Sequence, residues 1–220
     1  MLLSSLSDFP TMVYLLVALV VAITVHEFSH AWIATLLGDA TARLSGRLTL
    51  NPLAHLDPVG SIVLLIAGFG WGKPVPYNPH FVRQGVWGET MIALAGPFSN
   101  ILTAILFALP GRIYFWQTGH TATGNLWQFL AVVVAINVLL AAFNLLPIPP
   151  LDGSKLLYLI ADRLTFGNVD WWPTFERLGP MILLSLLFAE RLLGINIIFR
   201  LLDPIIFLIN WIVGSSGPLF

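Results

Sequence analysis

Long apolar runs broken by short polar stretches dominate the pattern of this chain. Thr11 to Leu37 is the first, interrupted only by His26-Glu27-Phe28-Ser29-His30 and closed by Gly38-Asp39. As a helix it would reach ~40 Å, more than the ~30 Å of a bilayer's hydrocarbon core, which predicts a tilted or protruding transmembrane helix. It is too long for a signal-peptide core and has no Lys or Arg at its start, so it predicts a retained span. Met91 to Leu109 and Leu126 to Leu146 predict two further spans.

The stretches between are shorter and more varied. In Thr41 to Asn51, Leu44, Leu48 and Leu50 alternate roughly with Arg43, Arg47 and Thr49. That predicts one or two short strands, a β-hairpin turning at Gly46, or an amphipathic interfacial loop. A strand edge there could pair with a substrate backbone. Pro58 to Gly70 is apolar, but ~20 Å of helix falls short of a crossing, so a re-entrant or buried segment is expected. Gly68 to Pro79 reads as a loop rich in Gly and Pro, and Pro110 to Asn125 as a polar loop. His80 and His120 fall in such loops and are expected to be solvated. Asn144 to Gly153 places Pro147, Pro149 and Pro150 close together and must break the third span. Broken backbone at membrane depth needs protein or a wet cavity around it. A helix resumes over Leu156 to Leu164, and Trp171 and Trp172 sit like an interfacial anchor. Met181 to Val213 is apolar but interrupted at Glu190-Arg191, Gly194, Arg200 and Asp203-Pro204. It reads as one broken span, or as a span and an interfacial helix.

Composition agrees with this picture. Of 220 residues 57% are hydrophobic and 10% charged, and the mean hydropathy is +0.87. The expected fold is an all-α polytopic membrane protein, a transmembrane helix bundle with a short β-hairpin or re-entrant segment after the first helix. A single domain is expected over residues 1–220, with a core at about 11–164 and C-terminal membrane segments at about 174–213. A net charge of −1 gives no basic surface for nucleic acid. With no cysteine, disulfides and thiolate metal sites are excluded, so any metal must be held by His, Asp or Glu.

Candidate chemistry centres on the polar interruption of the first run. His26 and His30 are one helical turn apart and project from one face, the spacing of two nitrogen ligands on one zinc ion. Glu27 is adjacent but off that line, placed to act as a general base on water without being a ligand. Two hydrogen-bonded core histidines are the bland alternative. The apolar surroundings weigh against it, because ionisable groups at membrane depth are costly unless they function. Catalytic zinc takes a third protein ligand, and Asp152, a carboxylate in the proline break with only Lys155 as a nearby cation, fits best. His55 and Asp57 follow as groups behind the ligands or in contact with substrate. Asn100 reads as helix-to-helix glue or as part of the site, with glue favoured.

His26-Glu27-Phe28-Ser29-His30, Ala95-Gly96-Pro97-Phe98-Ser99-Asn100 and Asn144-Leu-Leu-Pro-Ile-Pro-Pro-Leu-Asp152-Gly153 together resemble the site-2 proteases, intramembrane zinc metalloproteases. The stretch Asn51 to Gly60 looks like the family's short bacterial and archaeal members. The resemblance covers about Val13 to Leu164, without a PDZ or CBS domain. It implies one zinc ion per chain on His26, His30 and Asp152, with Glu27 as catalytic base. Asn144 would bind the substrate backbone or stabilise the oxyanion. It also implies a transmembrane protein substrate, with membrane lipid around both, in a prokaryotic cell (inner) membrane. Arg43 and Arg47 after the first span put the active site towards the cytoplasmic side. The competing function is a non-proteolytic zinc-binding membrane protein or transporter. No internal repeat of the kind transporters carry is visible.

Overall fold

The computed structural model describes residues 9–60, 71–193 and 196–214, the side chains of 190, 191 and 193 excepted. Its helices are α1 (Phe9–Leu36), α2 (Thr41–Leu44), α3 (Val86–Thr118), α4 (Asn125–Asn144), α5 (Gly153–Leu164), α6 (Trp172–Leu193) and α7 (Ile197–Val213). Among the described residues α1, α3 and α4, of 28, 33 and 20 residues, are long and apolar enough to cross a membrane. Large apolar side chains such as Leu102 and Leu106 stand exposed on their outer faces. Helices apolar all round suit a lipid solvent. The chain is a helical membrane protein.

The three spans pack on one another through small residues. Ala18, Ala22, Ala31 and Ala34 of α1, Ala104 and Ala108 of α3, and Ala141 and Ala142 of α4 have no exposed surface. Lipid offers no hydrophobic gain for helix association, so close backbone approach and dispersion contacts supply the attraction. Outside them α7 lays Ile198, Leu202, Ile209 and Val213 against α3 and α4. Arg112 of α3 donates to the Val213 carbonyl at 3.1 Å and so closes the C-terminal end of α7.

Hydrogen bonds at the helix ends set the directions. Gln128, in the first turn of α4, reaches Thr11 at the start of α1 at 3.3 Å. At the other end of α1, Leu37 O accepts from Arg83 N at 2.8 Å and Asp39 from Asn78 N at 2.7 Å. So α3 starts where α1 stops, runs back, and α4 returns alongside α1. The proline break therefore emerges near the end of α1 that holds the histidines.

Two expectations change. No strand forms over Thr41–Asn51. Instead Asp39 Oδ1 accepts from the Thr41 N–H at 2.9 Å and its hydroxyl at 2.5 Å, turning the chain into the short helix α2. The alternation there was not that of a two-faced strand, since Leu44 and Leu50 are 81% and 61% exposed while Arg47 is only 6% exposed. The span beginning near Met91 also runs past Pro110 to Thr118. Pro110 removes one N–H from the helical ladder, and termination waits for Gly119, left-handed at φ 70°. The last third carries two helices, α6 and α7, and both readings of it remain open, because the residues that join them lie outside the described ones. The expectation for Pro58–Gly70 lies mostly outside the described residues. On either side of it Leu56 pairs with Gly72 in an isolated antiparallel bridge.

Candidate metal centre

His26 and His30 lie on the face of α1 turned to α3, both buried. Their rings stand 4.7 Å apart and nearly perpendicular. Room for them comes from Gly96, where a Cβ would stand 2.5 Å from His30 Nε2 and 2.6 Å from His26 Nε2. Each ring is held from behind. His26 Nδ1 is 2.6 Å from Asn100 Oδ1, and His30 Nδ1 is 2.7 Å from the Ile92 carbonyl. Both partners are acceptors, so each Nδ1 carries its proton and each Nε2 keeps its lone pair for the interior of the site.

Asp152 arrives from the opposite part of the chain. After α4 the prolines carry the backbone through a compact break in which Leu146 and Leu151 are buried. Leu151 N bonds Ile148 O, and Ser154 N bonds Leu151 O, which starts α5. Gly153 packs directly on the Leu145 carbonyl, 2.2 Å from where a Cβ would be, so no side chain fits there. Thr90 Oγ1 donates to Lys155 O at 3.2 Å and ties this corner to α3.

The result is one cluster. Asp152 Oδ2 is 3.1 Å from His26 Nε2 and 3.5 Å from His30 Nε2. His26, His30 and Asp152 form a group whose ligand atoms all lie within 4.8 Å of one another. Tetrahedral zinc at ~2.0–2.1 Å from its ligands separates them by ~3.3–3.4 Å, which those distances bracket. Charge points the same way. Asp152 Oδ2 is buried without a hydrogen-bond donor, and Lys155 pairs with Glu176 at 3.1 Å instead. Two imidazole lone pairs facing a carboxylate oxygen repel unless a cation sits between them. The donor set fits zinc.

Glu27 is half-buried next to the cluster and makes no hydrogen bond or ion pair among the described residues. Gly72 passes over it, a Cβ there lying 3.5 Å from Glu27 Oε1 and 3.3 Å from His55 O. His55 stays outside the metal-binding group. Fully buried, it is 2.7 Å from Thr49 O through Nε2, and its backbone carbonyl accepts from Lys73 N at 2.7 Å. Asp57 caps a turn through Gly60 N at 2.7 Å. Asn144 turns back on its own helix, donating to Leu140 O at 3.0 Å.

Two groups behind the site were not assigned from sequence. Asn137 backs Asn100 at 2.9 Å. Arg47, which the charge pattern marked only as a topogenic cation, is buried. Its guanidinium donates to the carbonyls of Ala54, Lys73 and Pro74, at 3.3 Å and 3.0 Å for the last two. It thereby holds the strip that crosses Glu27. Polar residues inside apolar runs were the available signal for Asn137; nothing local marked Arg47.

Comparison with known proteins agrees with this chemistry. The family model described as peptidase family M50 matches residues 108–184. YwhC of Bacillus subtilis (strain 168), whose name places it among zinc metalloproteases, is 42% identical over 149 residues, covering 66% of this chain and 68% of YwhC. Rip2 of Mycolicibacterium smegmatis, named in the same way, is 36% identical over 144 residues, 62% of this chain and 52% of Rip2. The zinc metalloprotease MJ0392 of Methanocaldococcus jannaschii is 23% identical over 194 residues, 88% of this chain and 47% of MJ0392. No solved structure matches the chain.

Proposed function

Because this chain belongs to peptidase family M50 and is a zinc metalloendopeptidase, we propose that it cleaves peptide bonds within or beside transmembrane segments of other membrane proteins. The carrying observation is the depth of the cluster. His26 lies ten residues before the end of α1, ~15 Å along a helix apolar enough to span a bilayer. A bond that reaches this site comes from a chain that is itself in the membrane.

His26 and His30 through Nε2, and Asp152 through Oδ2, would hold one zinc ion per chain. When bound, zinc polarises the scissile carbonyl and lowers the pKa of water. Glu27, whose carboxylate has no partner among the described residues, would accept the proton of that water and pass it to the leaving amine. Asn144 gives one Nδ2 hydrogen to Leu140 O and would use the second to donate to the substrate backbone or the developing oxyanion. His55 and Asp57 act by shaping the loop beside Glu27. The substrate helix must unwind to expose its backbone, and glycine, proline or asparagine near the scissile bond would lower that cost.

Orientation follows from charge. Arg43, Arg47, Lys73, Arg83 and Lys155 cluster at the end of α1 that carries the site, whereas Arg112 lies towards the other end. By the positive-inside rule the site end faces the cytoplasm, in a prokaryotic inner membrane.

The test is cleavage of a transmembrane substrate by purified protein in lipid vesicles. Chelator should stop cleavage and zinc should restore it. Glu27→Gln should bind zinc normally yet lose about 10²–10⁴-fold in turnover. His26→Ala, His30→Ala and Asp152→Ala should each weaken zinc binding. Full turnover by Glu27→Gln, or cleavage of soluble peptides but never of membrane segments, would overturn the reading.

A further inference from the structure

Behind His26 runs a chain of hydrogen bonds whose direction the backbone dictates. The Val133 carbonyl can only accept, and Asn137 Nδ2 donates to it at 2.8 Å. Asn137 therefore turns Oδ1 towards Asn100, whose Nδ2 donates to it at 2.9 Å. The same Asn100 amide donates to a second backbone acceptor, Ala22 O, at 3.1 Å. With its nitrogen committed twice, Asn100 presents oxygen to His26 Nδ1 at 2.6 Å. That oxygen accepts the Nδ1 proton, and the lone pair remains on Nε2, 3.1 Å from Asp152 Oδ2.

We propose that Asn100 and Asn137 form a polarity relay, two positioning residues that set the tautomer and ring angle of His26 so that Nε2 is presented to zinc. Asn137 lies on α4 and hydrogen-bonds to neither histidine nor Asp152, so its hydrogen-bonded link to the site passes through Asn100. Both amides are completely buried. Neither can turn over without setting a donor against a donor or an oxygen against an oxygen, and both are closed off from bulk solvent. A pair serving only to join helices would need no particular direction. This one starts on two acceptor-only carbonyls and ends on a metal-ligand candidate. The proposal rests on the metal site described above.

The experiment is zinc competition against a fluorescent chelator, with the melting temperature of the zinc-free protein measured in parallel. Asn100→Leu should weaken zinc about 10–100-fold. Asn137→Leu should weaken it in the same direction but less, and Asn100→Leu/Asn137→Leu should match Asn100→Leu alone, because the second residue acts only through the first. In zinc-free protein with 15N-labelled histidine, the signal lost in His26→Ala should show a protonated Nδ1, and Asn100→Leu should shift it towards mixed tautomers. Lower melting temperatures with unchanged zinc affinity and unchanged tautomer would reduce the pair to helix glue and overturn the relay. If wild type fails to bind zinc, or His26→Ala binds it as well as wild type, the metal reading itself fails. Should Asn100→Leu not fold, Asn137→Leu and its His26 signal decide the question.

Discussion

Gly96 lies against the imidazole of His30, so close that a methyl group in place of its hydrogen would stand 2.5 Å from Nε2. The same methyl would crowd His26, so neither ring could yield without losing its partner behind, Ile92 O or Asn100. Overpacking of this kind costs about 1–3 kcal/mol, here charged to the ligand geometry. Gly96→Ala should weaken zinc binding by about 10-fold or more while leaving helix content intact. Competition with a chelator, alongside circular dichroism, measures both. Wild-type zinc affinity in that variant would show that α3 can move away from α1.

Arg47 should matter to turnover and not to metal. Its loss leaves the carbonyls of Ala54, Lys73 and Pro74 without their shared donor and loosens the strip over Glu27. Arg47→Ala should retain stoichiometric zinc, cut turnover about 10-fold or more, and open residues 71–78 to limited proteolysis. His55→Ala should act in the same direction, since the His55 side chain holds Thr49 O and fills the space beneath the strip, while its backbone bond to Lys73 N remains. Loss of zinc from the His55 variant would instead make that residue a ligand.

Asp39 introduces an acid limb into stability. Burial pushes its pKa up, but hydrogen bonds from the Thr41 hydroxyl, the Asn78 N–H and the Thr41 N–H outweigh this and hold it below the ordinary value. A carboxyl depressed in the folded state stabilises above its unfolded pKa, roughly 3.9, and loses that contribution as pH falls through the folded pKa. The melting-temperature gap between wild type and Asp39→Asn should therefore be widest near neutral pH and shrink below about pH 4. A gap independent of pH would mean that the charge of Asp39 contributes nothing.

Topology can be read with single cysteines, because the chain has none of its own. His80 lies in the turn that meets the end of α1, and His120 in the loop joining α3 to α4 at the other end. In intact cells a cysteine at His80 should resist a membrane-impermeant maleimide, and one at His120 should react. The reverse pattern would place the site on the outer side.

Spans and motif were legible in the linear chain because each depends on neighbours in sequence, and the three residues singled out as candidate donors do come together in the fold. Apolar runs of bilayer length define helices whatever surrounds them, and a spacing of four puts His26 and His30 on one face by helical geometry alone. Asp152 could be named because a buried carboxylate without a cation is conspicuous in an apolar segment. Tertiary structure decided the rest. Whether Arg47 met solvent or three carbonyls depended on where residues 73 and 74 came to lie, which no local pattern encodes. The strand expected at Thr41–Asn51 yielded to a turn set by Asp39, itself fixed by Asn78 from a distant loop. Asn100 had two roles open to it in sequence, and only the approach of α1 and α4 gave its amide a direction. A hydrogen bond's polarity is a property of both partners, and those partners meet only when the helices pack.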